Sequence, residues 1–254
     1  MNLFYFVFKE KKRVNVLIYN EYRHELNPND KAAKVYPPGI HAAIADFLGK
    51  EPDMNVRTVT LNTVTEITAD ALRDTDVLIW WGHCHHNDVP DEIAELVQEA
   101  VLNGMGAVFL HSAHKSKPFM RLMGTSCSLI WRESDDMERI WVSAPYHPVA
   151  AGLDRFFELP AEETYGEPFG IPTPDETVFI GWFTGGEVFR AGCAWQRGWG
   201  RVFYFQPGHE SYPTYFDPNV QTVIKNAVRW VKPERRTENC MDCPNPPKAH
   251  RGAI

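Results

Sequence analysis

The sequence predicts an α/β protein with a doubly wound, mostly parallel sheet, and three observations lead there. Strand-like runs at residues 14–19, 56–61, 77–81 and 107–110 alternate with helix-like segments over short links. Two of them, 77–81 and 107–110, have no polar face, which suits central parallel strands covered on both sides. Both then stop abruptly in polar residues, Gly82-His83-Cys84-His85-His86 and His111-Ser112-Ala113-His114.

The elements follow in order. Residues 14–19 form the first strand, and Asn20-Glu21-Tyr22-Arg23-His24 is its polar exit. Tyr36-Pro37-Pro38-Gly39 punctuates the next loop, after which Ile40, Ala43, Ile44 and Phe47 share one face of a helix over 40–48. Alternation marks 56–61 as the second strand, and Thr68 caps a short helix bearing Leu72. After the third strand, a helix takes Asp88 as N-cap and Pro90 in its first turn. Ile93, Leu96, Val97, Ala100 and Val101 form its apolar stripe, and Gly104 ends it. The fourth strand leads into a helix that begins near Ser116.

Beyond Met123 the pattern turns to β. Residues 131–133 and 138–142 are short and strand-like, and 143–176, rich in Pro and Gly, read as a long ordered loop region. Residues 177–183 and 187–195 form a hairpin around Thr184-Gly185-Gly186, completing a C-terminal β-rich insertion. Residues 201–205 are a last strand that exits into Gln206-Pro207-Gly208-His209-Glu210. Val220, Val223, Ile224, Ala227, Val228 and Val231 then line one face of a final helix. Residues 1–233 thus read as one domain, and 234–254 as a flexible polar tail holding the pair Cys240-Met241-Asp242-Cys243. One such pair supplies two of four zinc ligands.

Composition narrows the function. A net charge of −7 argues against a general nucleic-acid binder or an anionic-membrane binder. Five cysteines, three of them isolated, make no disulfide framework, so a reducing cytoplasm is expected. The apolar residues 3–8 are too few to span a bilayer and lack the flanks of a secretory leader. They are expected to be an extra edge strand or a consequence of start-site choice.

Right-handed crossovers bring the first, third and fourth strand exits to one sheet edge, where open α/β sheets bind ligands. Three exits carry histidine: His83/His85/His86, His111/His114 and His209. Imidazole is the commonest metal ligand and the usual acid–base group near neutral pH. His83 with His85 or His86, plus His114 or His209, would supply three zinc ligands and an open position, although the spacing fits no zinc motif closely. Metal-free acid–base chemistry and purely structural histidines are the alternatives. A Ser112–His209 nucleophile pair is a further one.

The pair His209-Glu210 after the last strand is similar to the His-x-Glu that class I glutamine amidotransferases deliver to a cysteine nucleophile. Here the spacer is missing, the matching turn His111-Ser112-Ala113 holds no cysteine, and Cys127 lies too far along. Five segments together resemble the ThuA-like (trehalose utilisation) family. They are Trp80-Trp81-Gly82-His83, His111–His114, 127–133, 185–190 and 204–215, spanning roughly 14–233. The resemblance implies a flavodoxin-like, amidotransferase-like fold and a place in disaccharide catabolism. It brings no settled reaction.

The residues suit a sugar. Trp81, Trp131 and Tyr165 offer flat apolar faces, while Arg132, Glu133, Glu163 and Glu167 can bond hydroxyls. Trp80 reads as core, and Glu187 and Arg190, three apart on a strand, point to opposite faces. The expected enzyme removes a proton beside the carbonyl of an oxidised disaccharide, with His209 or Glu210 as base. His111 and Ser112 share the catalytic turn, and His83, His114 and a zinc ion act as electrophiles. No nucleotide cofactor is expected, and exposed aromatic loops point to a homo-oligomer. The alternative is a non-catalytic sugar-binding or regulatory protein on a retired amidotransferase scaffold.

Overall fold

The computed structural model describes residues 13–239. Nine strands form one sheet: β1 (Val14–Asn20), β2 (Met54–Thr60), β3 (Val77–Trp81), β4 (Gly106–Leu110), β5 (Ile130–Val142), β6 (Phe156–Gly166), β7 (Glu176–Phe183), β8 (Val188–Arg197) and β9 (Gly200–Phe205). Their order is β2-β1-β3-β4-β9-β8-β7-β5-β6. Pairing is parallel from β2 to β9 and antiparallel from β9 to β6. Every residue of β3 and β4 is buried, as their unbroken apolar runs require.

Six helices accompany the sheet: α1 (Ala32–Val35), α2 (Ile40–Gly49), α3 (Ala69–Arg73), α4 (Asp91–Leu102), α5 (Lys117–Met123) and α6 (Pro218–Val231). The crossover from β1 to β2 runs one way along the sheet, and those from β2 to β3 to β4 run the other way. Right-handed crossovers therefore put α2 on one face and α3 and α4 on the opposite face. The packing agrees: α2 touches α6, while α4 touches α3 and α5. The direction reverses between β1 and β3, the point at whose carboxyl ends open α/β sheets bind ligands.

Local signals explain most boundaries. Thr68 accepts from the Ala71 N–H and Asp217 from those of Asn219 and Val220, capping α3 and α6. Gly104, at φ +116°, ends α4 in the left-handed region. Asp88 is not the N-cap of α4. The helix begins three residues later, and Asp88 instead takes a hydrogen bond from His85 Nδ1 at 2.9 Å.

The β-rich half departs further from expectation. The two short strands at 131–133 and 138–142 are one 13-residue strand, β5, interrupted by bulges around Asp136. Residues 143–176 are not a long loop, since they contain the 11-residue β6. Charged residues in β6 hid its alternation, because Glu162 and Glu163 are buried alongside the apolar positions. The strands of this region extend the parallel sheet beyond β9 rather than stand apart from it.

The apolar segment 3–8 and the Cys240/Cys243 pair lie outside the described residues. The first residues of the expected flexible tail are held in place. Arg236 donates to the Arg73 carbonyl at 3.0 Å, and the Thr237 N–H reaches the Asn103 carbonyl at 2.9 Å.

Two predictions follow from packing and charge. At Gly106, where β4 starts beneath the end of α6, an added Cβ would lie 2.3 Å from the Val231 carbonyl oxygen. Gly106→Ala is expected to cost about 1–3 kcal/mol in urea unfolding, whereas Gly49→Ala, with nothing within 4 Å, should not destabilise. Arg229 on α6 reaches Glu51 and Asp53 at 2.6 and 2.8 Å. Lys225 and Arg229 hold Glu51, and Arg229 holds Asp53, below the usual carboxylate range. This stabilisation is full above the unfolded carboxylate pKa and is lost as pH falls through the folded one. Arg229→Ala should therefore cost about 1 kcal/mol at pH 7, discounted for partial exposure, and the gap to wild type should shrink below about pH 4.

Candidate active site at the strand exits

Backbone N–H groups that leave a sheet lose their ladder partners and need new acceptors. Two buried carboxylates meet that need. Glu21, at the end of β1, accepts from the backbone N–H groups of His83 (2.8 Å), Cys84 (3.1 Å) and His85 (2.9 Å). Glu162, on β6, accepts from Gly208 (3.0 Å), His209 (3.1 Å) and the Thr214 hydroxyl (2.7 Å). The loops after β3 and β9 are thus fixed, and with them the side chains of His83, Cys84, His209 and Glu210.

Those side chains join others in a chain of imidazoles. Ring centroids are 5.1 Å apart for His24 and His83, 5.1 Å for His83 and His209, and 5.3 Å for His209 and His111. His111 sits where β4 ends, at φ +52°, a left-handed conformation that costs a non-glycine residue roughly 1–3 kcal/mol. Its Nδ1–H donates to the Gln206 carbonyl at 2.9 Å, its own carbonyl accepts from Tyr204 Oη at 2.9 Å, and its ring stacks on Tyr165. Nε2 lies 3.0 Å from Glu163 Oε2. Burial opposes a charge on His111, but the Glu163 carboxylate outweighs burial and raises the pKa. In return His111 holds Glu163 low, against the effect of burial.

A second ion pair joins His83 Nδ1 to Glu210 Oε1 at 2.9 Å. Burial works against the charge on His83, yet Cys84 and Glu210 push its pKa up to about 11. Beside it, His24 is pushed up to about 9, chiefly by Cys84. The Cys84 thiol is drawn down to about 6 by His24 and His83. His209 differs, since burial lowers its pKa to about 4 and leaves it neutral. Its Nδ1 accepts the Ser211 N–H at 3.1 Å, so the ring proton sits on Nε2. Glu210 Oε2 is buried without a hydrogen-bond partner.

The structure brings His83, His111, His209, Glu163 and Glu210 together and leaves other expected residues apart. His114 donates from Nδ1 to the Cys127 carbonyl at 2.7 Å, is neutral with a pKa lowered by burial to about 3, and lies outside every donor group below. Ser112 bonds Tyr165 Oη at 2.7 Å and has no imidazole as base. Tyr165 is buried, so it positions His111 and Ser112 rather than offering a sugar platform. Trp81 is wholly buried, and its indole N–H donates to the Gly208 carbonyl at 3.0 Å. Glu167 is committed to Arg190 at 2.7 and 2.9 Å. Arg132 pairs with Glu187 and Asp136 on the outer part of β5. Trp131 and Glu133 are exposed beside it, with Trp131 at 67%. The nearby Asp135 ties this strand to the site by accepting from Tyr212 Oη at 2.8 Å. His85 and His86 join no donor group.

Glu21, His24 and Glu162 were not singled out from sequence. A lone acid or imidazole in a polar exit carries no motif, and only the strand order reveals that His24 faces His83. Cavity shape would mislead here. Surface cavities of about 330 and 290 Å³ lie around Arg201 and Glu234, at the opposite end of β9.

Comparison with solved structures agrees on the fold. A ThuA-like protein from Parabacteroides merdae superposes with a TM-score of 0.67 at 14% identity, covering 89% of this chain and 93% of that one. A cytoplasmic protein from Salmonella typhimurium gives 0.57 at 13% identity, covering 87% and 100%. A glutamine amidotransferase from Thermotoga maritima gives 0.54 at 10% identity, covering 86% and 98%. No curated protein matches in sequence. The family model described as ThuA, trehalose utilisation, matches residues 15–231, and the chain belongs to that family.

Proposed function

We propose that this protein is an enzyme of trehalose utilisation that acts on the disaccharide, or on a derivative oxidised to a ketone, by acid–base chemistry. Family membership supports the role in trehalose utilisation. The observation that carries the chemistry is the meeting of imidazoles and carboxylates at one sheet edge. One of their buried carboxylate oxygens, Oε2 of Glu210, has no hydrogen-bond partner.

A ketone acidifies the adjacent C–H. Glu210 Oε2 takes that proton, the C–H electron pair becomes the C=C of an enediolate, and the carbonyl oxygen gains the negative charge. His209, fixed as a donor at Nε2, hydrogen-bonds that oxygen. Return of the proton from Glu210 to the former carbonyl carbon, with passage of the neighbouring hydroxyl proton to the former carbonyl oxygen, completes an isomerisation. Loss of the glycosidic oxygen, protonated as it leaves, completes an elimination. The base is therefore Glu210. His209 cannot serve in its resting form, because its acceptor nitrogen is already used by Ser211. His83 holds Glu210 well below the usual carboxylate range despite burial, so the step depends on strong stabilisation of the enediolate.

The surrounding assignments are proposals of the same kind. A cytoplasmic location fits the free Cys84, Cys127 and Cys193, and the Salmonella neighbour described as cytoplasmic. Among the described residues, no helix is long and apolar enough to cross a membrane. A small sugar is the partner, with neither nucleic acid nor membrane. Exposed Ile130 and Trp131 on β5 support association with further copies of the chain.

Glu210→Gln is expected to lower kcat on a keto-disaccharide by about 10²–10⁴, and His209→Ala should lower it substantially as well. Turnover at the wild-type rate in both variants would sink this assignment. Tight sugar binding in calorimetry with no product formed would transfer the protein to the non-catalytic class. Ser112→Ala should keep activity within about tenfold of wild type, because Ser112 has no adjacent base. Covalent labelling of wild type by a fluorophosphonate, lost in this variant, would revive the serine nucleophile.

A further inference from the structure

Three donor groups overlap along the imidazole chain: His24–His83–Cys84, His83–His209–Glu210 and His111–Glu163–His209. In each, the ligand atoms lie within 4.8 Å of one another. Hydrogen bonds distinguish them. His209 accepts the Ser211 N–H at Nδ1, so its Nε2 holds a proton and has no lone pair for a cation. The second and third groups both need that lone pair.

The first group is arranged differently. His24 Nδ1 lies 3.1 Å from Asp30 Oδ2, and His83 Nδ1 lies 2.9 Å from Glu210 Oε1. A carboxylate on Nδ1 fixes the ring proton there, orients the ring and leaves the Nε2 lone pair for a metal, as in carboxylate–histidine–zinc arrangements. His24 Nε2 is buried and has no hydrogen-bond partner. The Cys84 thiol lies within 4.8 Å of a ring nitrogen of each imidazole, and the Glu21 carboxylate pins its backbone N–H.

We propose that His24 Nε2, His83 Nε2 and Cys84 Sγ bind one zinc ion, with the fourth position open. The donor types select a borderline-soft divalent cation over magnesium or calcium, which take oxygen ligands. Topology supports the place: His24 follows β1 and Cys84 follows β3, the two strands between which the crossover direction reverses. His24 and His83 keep 19% and 20% exposure and Cys84 is exposed, so the site opens to solvent, unlike a closed structural zinc site. Tetrahedral zinc holds such donors about 3.5 Å apart, which asks for closure by up to about 1.3 Å from the 4.8 Å bound. An open position accepts a carbonyl oxygen as a Lewis base. That last role rests on the reaction proposed above, whereas metal binding does not.

The test uses the full chain, loaded with zinc, dialysed and analysed for metal, then reloaded with cobalt for absorption spectra. About one zinc per chain is expected in wild type. It should be lost in Cys84→Ser and in His24→Gln, and kept in the Cys240→Ser/Cys243→Ser double variant. A thiolate-to-cobalt charge-transfer band should vanish in Cys84→Ser and persist in Cys127→Ser and Cys193→Ser. Circular dichroism checks that each variant is folded. Wild type that retains no zinc, zinc that survives Cys84→Ser, or zinc lost with Cys240 and Cys243 overturns the site. Keto-disaccharide turnover is measured separately. Bound zinc without turnover leaves the site standing and removes the reaction, and turnover by wild type that retains no zinc removes the site and leaves the reaction standing.

Discussion

A sheet edge that delivers side chains to a site must also dispose of the backbone N–H groups that emerge there. Glu21 and Glu162 do this from within, each gathering donors from a loop that belongs to a different strand. The arrangement ties β1 to the exit of β3 and β6 to the exit of β9. A buried carboxylate is costly unless its oxygens are well supplied with donors. The loops supply them, and the carboxylates in turn fix where those loops sit. Placement of His83, Cys84, His209 and Glu210 follows from that exchange.

The comparison with glutamine amidotransferases concerns fold alone, and the site shows how far one scaffold can depart chemically. The strained left-handed residue at the end of β4 is His111, paired with Glu163, and no thiol stands there. The scaffold's cysteine chemistry has no counterpart at that turn. A thiol beside His24 and His83 comes instead from Cys84, one strand over. Glu210 faces His83 and Glu163 faces His111, each at hydrogen-bonding distance. Glu210 Oε2 and His24 Nε2 are buried there without a hydrogen bond.

The parallel half of the fold was legible because its strands are buried on both faces and its helices keep a clear stripe. Periodicity then reports burial directly. The antiparallel half was less so: β6 buries Glu162 and Glu163 among apolar residues, and a polar code for buried positions defeats hydropathy. For the site, histidines after apolar strands led to His83, His111 and His209. Trp81 and Tyr165 were read as ligand surfaces because aromatic type alone does not tell which way a ring faces. His114 was one residue type in the right turn, but its ring turns to the Cys127 carbonyl. His24 and Glu21 needed strand order, which no local pattern encodes.

The sheet order has a consequence for how the chain reaches this state. β4 and β9 are hydrogen-bonded neighbours, with Ala107 opposite Val202, although β5 to β8 intervene in sequence. The β7–β8–β9 pairings are local and close early at little entropic cost, whereas the β4–β9 seam closes a long loop. That seam is where His111 meets Gln206 and His209. The two halves of the sheet can acquire secondary structure independently, but the cluster exists only after they zip together. The site is thus a property of the completed sheet rather than of any single element.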